Sequence, residues 1–200
     1  RQPGAQEVWD ELLGGLHRAA QESFFDERDR DAGDDRPHDQ QKPLHDAQGV
    51  ADELTYPVHI MLRYELEKRI FDGTLPVRDL PEAWRDGLDQ RLRLRPAGDA
   101  EGCLQDHHWA VGSFGYFPSY ALGGFISAQL YETLRSDHPD LDREIEAGQF
   151  GSLFEWLRKN VHGQGASLSS QELIKKATGK ALTAAPWLRY AENKYLEQGG

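Results

Sequence analysis

Two short segments of the sequence gather side chains that could do chemistry: GCLQDHHW at 102–109 and FGYFPSY at 114–120. The first segment carries two adjacent histidines next to an acid and an amide. An imidazole titrates near neutral pH, and a neighbouring carboxylate can fix its tautomer and raise its basicity. We therefore interpret the two segments as a candidate active-site wall.

The spacing within these segments limits the chemistry. Neither His107 nor His108 is followed by a second ligand at i+4, so the two histidines do not form a zinc-binding helix pair. Tyr116 comes eight residues after His108, across a turn that contains two glycines. A histidine and a tyrosine that meet at one oxygen atom can stabilise a tetrahedral intermediate. The same residues could instead satisfy backbone groups in a buried polar loop, and spacing alone leaves both interpretations open.

The composition excludes several classes of partner. The 200 residues carry a net charge of −11, whereas nucleic acids and anionic membranes require a basic face. No apolar run approaches the roughly eighteen residues of a membrane span, and the first residues lack the layout of a secretory signal. The single cysteine, Cys103, is expected to be a small packed side chain. Its isolation favours a reducing, cytoplasmic location.

Apolar residues at helical spacing predict an all-α fold without a sheet. We expect an N-terminal helix at 1–25, an acidic mobile insertion or linker at 26–46, and a helical domain at 47–200. The acidic tract contains His38, Asp39, His45 and Asp46, but their spacing matches no ligand pattern. Helices of the domain are predicted to end near Gly73, to begin after Asp79, and to cover 120–134, 150–162, 170–177 and 186–196 with Thr183 as the last N-cap.

Most other aromatic and charged residues have structural interpretations. Helical periodicity predicts five core aromatics: Trp84, Phe125, Tyr131, Trp156 and Trp187. The lone histidines His59 and His162 are expected to be structural. Four charged residues of 63–69 are expected to form a solvated helix face with weak ion pairs: Arg63, Glu65, Glu67 and Arg69.

The motifs also carry a family resemblance. A pattern of Gly, two free positions, Gln-Asp, one free position and His-Trp is matched in full by Gly102, Gln105, Asp106, His108 and Trp109. FGYFPSYALG, ADELTYPVHIMLRYELE at 51–67 and several later segments extend the match over about 50–197. In these segments the sequence resembles the carboxypeptidase Taq family of zinc metallocarboxypeptidases.

The resemblance implies the C-terminal lobe of an all-helical, two-lobed enzyme with a deep groove. It implies that His108 and Tyr116 stabilise the tetrahedral intermediate. It also implies that four residues shape or contact the substrate pocket: Asp52, Gln105, Asp106 and Tyr120. In the family, zinc is held by a His-Glu-x-x-His helix and a downstream Glu.

Two departures from the family pattern bear on function. The 200 residues contain no His-Glu-x-x-His, so we predict that this chain has no metal site or cofactor of its own. Ala47 and Gln48 occupy the positions where the family has Ile and Arg, and that arginine would anchor the terminal carboxylate of a substrate. A neutral Gln cannot make the charge-assisted fork of an Arg.

Three functions remain open at this point. The chain could be a carboxypeptidase lobe, active only when a missing N-terminal half, a second chain or a homodimer completes it. It could be a metal-free acid–base enzyme acting on a small amino-acid-like substrate. It could also be a non-catalytic module that binds a peptide or small ligand.

Overall fold

The computed structural model describes residues 53–196, and every regular element within that range is a helix. The all-α prediction is thereby confirmed for this part of the chain. The predicted N-terminal helix at 1–25, the acidic tract at 26–46 and Asp52 lie outside the described residues. None of the described helices is long and apolar enough to span a membrane.

The described residues form eight α-helices and three short 3-10 turns. The α-helices are α1 Tyr56–Phe71, α2 Leu80–Leu92, α3 His107–Ala110, α4 Pro118–Asp137, α5 Leu141–Glu146, α6 Gly151–Asn160, α7 Ser170–Thr178 and α8 Ala185–Tyr195. The 3-10 turns are Val77–Asp79, Cys103–Gln105 and His162–Gln164. The chain divides into two compact units at residues 121 and 122, so the described parts are 53–121 and 122–196.

Helices α1 and α2 form the framework of the first unit. Their buried side chains include Ile60, Leu62, Leu66, Trp84 and Leu88. Gly87 permits a close approach of the two helices, because a Cβ there would lie 2.3 Å from Leu62 Cδ1. The framework is therefore a tight helix pair.

Local signals fix the ends of these two helices. Pro57 lies in the first turn of α1, where its missing N–H removes no helical hydrogen bond. Gly73 follows α1 with φ +78°, a left-handed conformation that ends the helix where it was predicted to end. Asp79 occupies the N-cap position of α2 as predicted, but its side chain makes no capping hydrogen bond.

The second unit is organised around the C-terminal part of α4. Leu134, Leu141 and Trp156 form a buried cluster, and the rings of Phe125 and Trp187 meet edge to face at 5.9 Å. Since Trp84 of the first unit is also buried, four of the five predicted core aromatics are confirmed.

Two predictions in the second unit are wrong. Tyr131 is 40% exposed and donates to Asp142 Oδ1 at 2.9 Å. It lies six positions after the buried Phe125, which turns it about a third of a revolution away from that face of α4. The N-cap of α8 is Ala184, while the hydroxyl of Thr183 accepts from the N–H of Ala185 at 3.3 Å.

Cys103 begins the 3-10 turn that precedes the site. Its side chain is buried, as predicted, and the burial raises the pKa of the thiol. The charge of nearby Asp99 raises that pKa further. In the folded protein Cys103 is a packing residue.

Candidate functional site

Asp106 begins helix α3 and places the histidines. Its Oδ1 accepts from the backbone N–H of Trp109 at 2.9 Å, which is an N-cap hydrogen bond. Its Oδ2 accepts from Arg63 Nε at 2.8 Å, and the Asp106 side chain is completely buried. The start of α3 is therefore fixed to α1 by a buried ion pair.

Arg63 is held on several sides. Its guanidinium lies 4.6 Å from the ring centroid of Trp84 and 4.9 Å from that of Phe117, and its Nη1 donates to the carbonyl of His59 at 3.1 Å. Burial lowers the pKa of Arg63, and the hydrogen bond and charge of Asp106 oppose that shift. A planar cation stacked on rings in this way has little freedom to move.

The prediction of a solvated face on α1 is wrong for two of its four residues. Arg63 is largely buried, and Glu67 is only 5% exposed. Both face the segment that carries the histidines, and their spacing of four residues puts them on one side of the helix. Arg69 is exposed as predicted, and Glu65 forms a half-exposed ion pair with Arg91.

Three of the predicted site residues, His108, Tyr116 and Tyr120, lie together. His108 Nε2 lies 3.2 Å from the hydroxyl of Tyr120. The ring of Tyr116 stacks on the same imidazole with centroids 5.7 Å apart, and the two tyrosine rings meet edge to face at 5.4 Å. Helix α3 thus supplies the imidazole, and the start of α4 and the loop before it supply the phenols.

Two phenols at the pocket, those of Tyr120 and Tyr56, have a pKa above the ordinary value. Withdrawal from water raises the pKa of Tyr120, and the neighbouring Tyr116 adds to the effect. Burial also raises the pKa of Tyr56, although Arg63 partly opposes it. Both side chains consequently remain hydrogen-bond donors across the neutral pH range.

These side chains border a pocket of about 300 Å³ within the first unit. Its lining is rich in donors, and its acidic member, Asp106, has both oxygens engaged. Such a surface suits the carbonyl and carboxylate oxygens of a ligand. The lining residues are Tyr56, His59, Ile60, Arg63, Gln105, Asp106, His107, His108, Phe117 and Tyr120.

The other predicted residues have more local contacts. The side-chain amide of Gln105 donates to the carbonyl of Ala100 in its own loop. His107 is exposed, with its ring 4.1 Å from that of His108. Asp52 lies outside the described residues.

Sequence reasoning missed the contribution of α1 to the pocket. Tyr56, His59 and Arg63 are spaced i, i+3 and i+7, so one face of the helix presents all three. That spacing was visible in ADELTYPVHIMLRYELE. Only the fold could show that this face meets α3.

The described residues do not fit a zinc site. Between residues 53 and 196, no three His, Cys, Asp or Glu side chains are grouped closely enough to hold a metal ion. A protein zinc site uses at least three such ligands.

Comparison with known proteins defines the class. The family described as carboxypeptidase Taq (M32) metallopeptidase matches residues 49–195, and the chain belongs to this family. It is 47% identical over 145 residues to carboxypeptidase 1 of Bacillus subtilis and 41% identical over 146 residues to thermostable carboxypeptidase 1 of Pyrococcus furiosus. These alignments cover 72% and 73% of this chain but only 29% of each relative.

Solved structures agree with this assignment. The M32 carboxypeptidase of Deinococcus radiodurans R1 superposes with a TM-score of 0.73 at 35% identity, covering 95% of this chain and 40% of that one. The Pyrococcus furiosus carboxypeptidase superposes with a TM-score of 0.72 at 40% identity, covering 74% and 30%. The chain thus corresponds to a part of the family fold.

Proposed function

We propose that this chain supplies the substrate-facing wall of a metallocarboxypeptidase, with His108 and Tyr116 stabilising the oxyanion of the tetrahedral intermediate. The observation that carries the proposal is the grouping of His108, Tyr116 and Tyr120 beside a donor-rich pocket. The names of its relatives, carboxypeptidases of Bacillus and Pyrococcus, support the same reaction.

The side chains can assist peptide hydrolysis by donating hydrogen bonds. Negative charge develops on the carbonyl oxygen as the tetrahedral intermediate forms, and donors already in place stabilise it without reorganising. The phenol of Tyr120 contacts His108 and is kept protonated. Arg63 lines the pocket close by, although the anchoring arginine of the family is replaced by Gln48.

Turnover under this proposal needs a zinc-bearing segment, in the same polypeptide or a second chain, that completes the groove. The ligand is the C-terminal end of a peptide, whose carbonyl and carboxylate oxygens match the donors of the pocket. We also propose a cytoplasmic location, which the single cysteine supports.

A chimera tests the proposal directly. Residues 51–195 of this chain replace the matching segment of Bacillus subtilis carboxypeptidase 1, and release of the terminal amino acid from a blocked dipeptide is followed. We expect zinc-dependent release. His108→Ala and Tyr116→Phe should each lower kcat by about 100-fold, the effect of removing an oxyanion donor.

Two substitutions outside the pocket serve as matched controls. His162→Ala removes an exposed imidazole, and Tyr131→Phe removes a phenol that donates to Asp142 in the second unit. Both chimeras should keep nearly full activity. Equal losses in the controls and the site variants would contradict the proposed roles.

The same assays separate the two alternatives. Turnover by the 200-residue chain in the presence of a chelator would favour a metal-free acid–base enzyme on an amino-acid-like substrate. A folded, zinc-loaded chimera that binds the dipeptide without releasing product would favour a non-catalytic binding module.

A further inference from the structure

Glu67 is a buried carboxylate that does not line the pocket. Its side chain is 5% exposed, and both of its oxygens accept hydrogen bonds from distant parts of the first unit. Oε1 accepts from the indole Nε1 of Trp109 at 2.6 Å, 42 residues away. Oε2 accepts from the backbone N–H of Gly115 at 2.9 Å, 48 residues away.

The two donors are the chain neighbours of the two proposed oxyanion residues. Trp109 follows His108, and Gly115 precedes Tyr116. Gly115 has φ +73°, a left-handed conformation that favours glycine. One carboxylate therefore holds both the C-terminal part of the short helix α3 and the turn that sets the direction of Tyr116.

A carboxylate offers one acceptor oxygen to each of the two donors. A Gln side chain offers one acceptor oxygen, and its NH₂ would face one of the two donors. Hydrogen bonds to a charged acceptor are shorter and stronger than neutral ones, in agreement with the 2.6 Å distance to Trp109. Burying a charge is costly unless it is well bonded. The position therefore favours Glu for its chemistry as well as its size.

A second contact from α1 completes the arrangement. Arg63, one helical turn before Glu67, holds Asp106 at the beginning of α3. Helix α1 thus holds the segment 106–115 at its start through a cation and at its end through an anion. His108 lies between these two contacts.

We propose that Glu67 is a positioning residue that sets the geometry of His108 and Tyr116 for the function proposed above. This inference rests on that proposed function for its purpose, but the positions of the two rings can be measured independently. Glu67 acts through Trp109 and Gly115 and does not touch the substrate.

The test uses the 200-residue chain and NMR. Ring signals of His108 and Tyr116 are recorded in the wild type and in Glu67→Gln at a temperature where both remain folded. Binding of N-acetyl-alanyl-alanine is titrated in the same samples. Glu67→Gln loses one of the two charge-assisted hydrogen bonds that Glu67 makes to Trp109 and Gly115. We therefore expect both ring signals and the Trp109 indole signal to shift. Because the two rings then leave their positions beside the pocket, we expect the dissociation constant of the peptide to rise roughly tenfold.

Glu65→Gln is the matched control. It makes the same chemical change two residues earlier on α1, where the half-exposed carboxylate pairs with Arg91. The His108 and Tyr116 signals and the peptide affinity should stay at wild-type values. If Glu67→Gln does not fold, Trp109→Phe removes the indole donor from the other side and should shift the His108 signal.

The outcomes are distinguishable. A lower melting temperature for Glu67→Gln with unmoved ring signals would overturn the positioning role and leave Glu67 as a purely structural residue. If the wild-type chain does not bind the peptide, the proposed function loses support, while the ring signals still decide the role of Glu67.

Discussion

Two arginine–carboxylate pairs of the first unit differ mainly in burial. The side chains of Arg63 and Asp106 are 11% and 0% exposed, whereas those of Arg91 and Glu65 are 20% and 37% exposed. Removing one partner of a buried pair leaves an uncompensated charge in the interior, whereas water solvates the charge that remains when the pair is partly exposed. The two pairs should therefore respond very differently to the same substitution.

We expect Arg63→Met to lower the free energy of unfolding by about 3 kcal/mol, because Asp106 then stays buried without its cation. Arg91→Met should cost less than about 1 kcal/mol. Urea denaturation followed by circular dichroism measures both. Similar losses in the two variants would show that the unpaired charge of Asp106 is not the main cause of the destabilisation.

The roles of individual site residues could be predicted only in part from the sequence. The grouping of His108, Tyr116 and Tyr120 lies within thirteen residues, so local spacing and family motifs could suggest it. The buried roles of Arg63 and Glu67 depend on partners 42 to 48 residues away. A charged side chain on a helix is expected to be solvated, and only a long-range contact overrides that expectation.

At the scale of helices, α7 has the most complete local start signal. Ser169 and Glu172 form a capping box: the Ser169 hydroxyl accepts from the N–H of Glu172 at 3.4 Å, and Glu172 Oε2 accepts from the Ser169 N–H at 2.9 Å. Gly179, at φ +74°, ends the helix, close to the predicted end at residue 177. Hydrogen bonds from the Ser169 side chain and backbone lower the pKa of Glu172.

We expect Ser169→Ala to destabilise the protein by about 1 kcal/mol at neutral pH, as for other N-cap losses. A carboxyl whose pKa is lowered by folding stabilises the fold above its unfolded pKa, and this contribution disappears as the pH falls through the folded value. The difference between wild type and Ser169→Ala should therefore shrink below about pH 4.

Denaturation curves between pH 7 and pH 3 measure this difference. Ser170→Ala, which changes an exposed serine at the next position, is the control and should show little dependence on pH. A Ser169→Ala difference that stays constant down to pH 3 would mean that Glu172 titrates alike in both states.

Helix boundaries were predictable where a local residue determines them. Gly73 and Gly179 stop their helices because a left-handed residue ends the hydrogen-bond ladder. Asp79 occupies its predicted N-cap position without a side-chain hydrogen bond, whereas the cap predicted at Thr183 lies one residue later, at Ala184. Whether a side chain caps a helix depends on the rotamer that the neighbouring packing permits. Tyr131, which was predicted to be buried but is exposed, shows that periodicity alone does not determine which face of a helix is packed.

At the scale of the whole molecule, the class of protein was identifiable because motifs recur along most of the described chain. The family match covers residues 49–195, yet the chain spans about 29% of the length of its curated relatives. Helical periodicity predicted the α-class, but it could not predict that the site lies within the first of two units.

The buried Cys103 thiol can be used to detect local opening of the first unit. The sequence has one thiol, and it is packed at the entrance to α3, so a reagent such as dithiobis(nitrobenzoate) reacts only with molecules in which this turn has opened. The rate at which thionitrobenzoate is released, followed by its absorbance, therefore reports how readily this turn opens under native conditions. We expect saturating N-acetyl-alanyl-alanine to slow the reaction, because a ligand bound to the closed form withdraws molecules from the open one. An unchanged labelling rate would mean that the turn opens without disturbing the pocket.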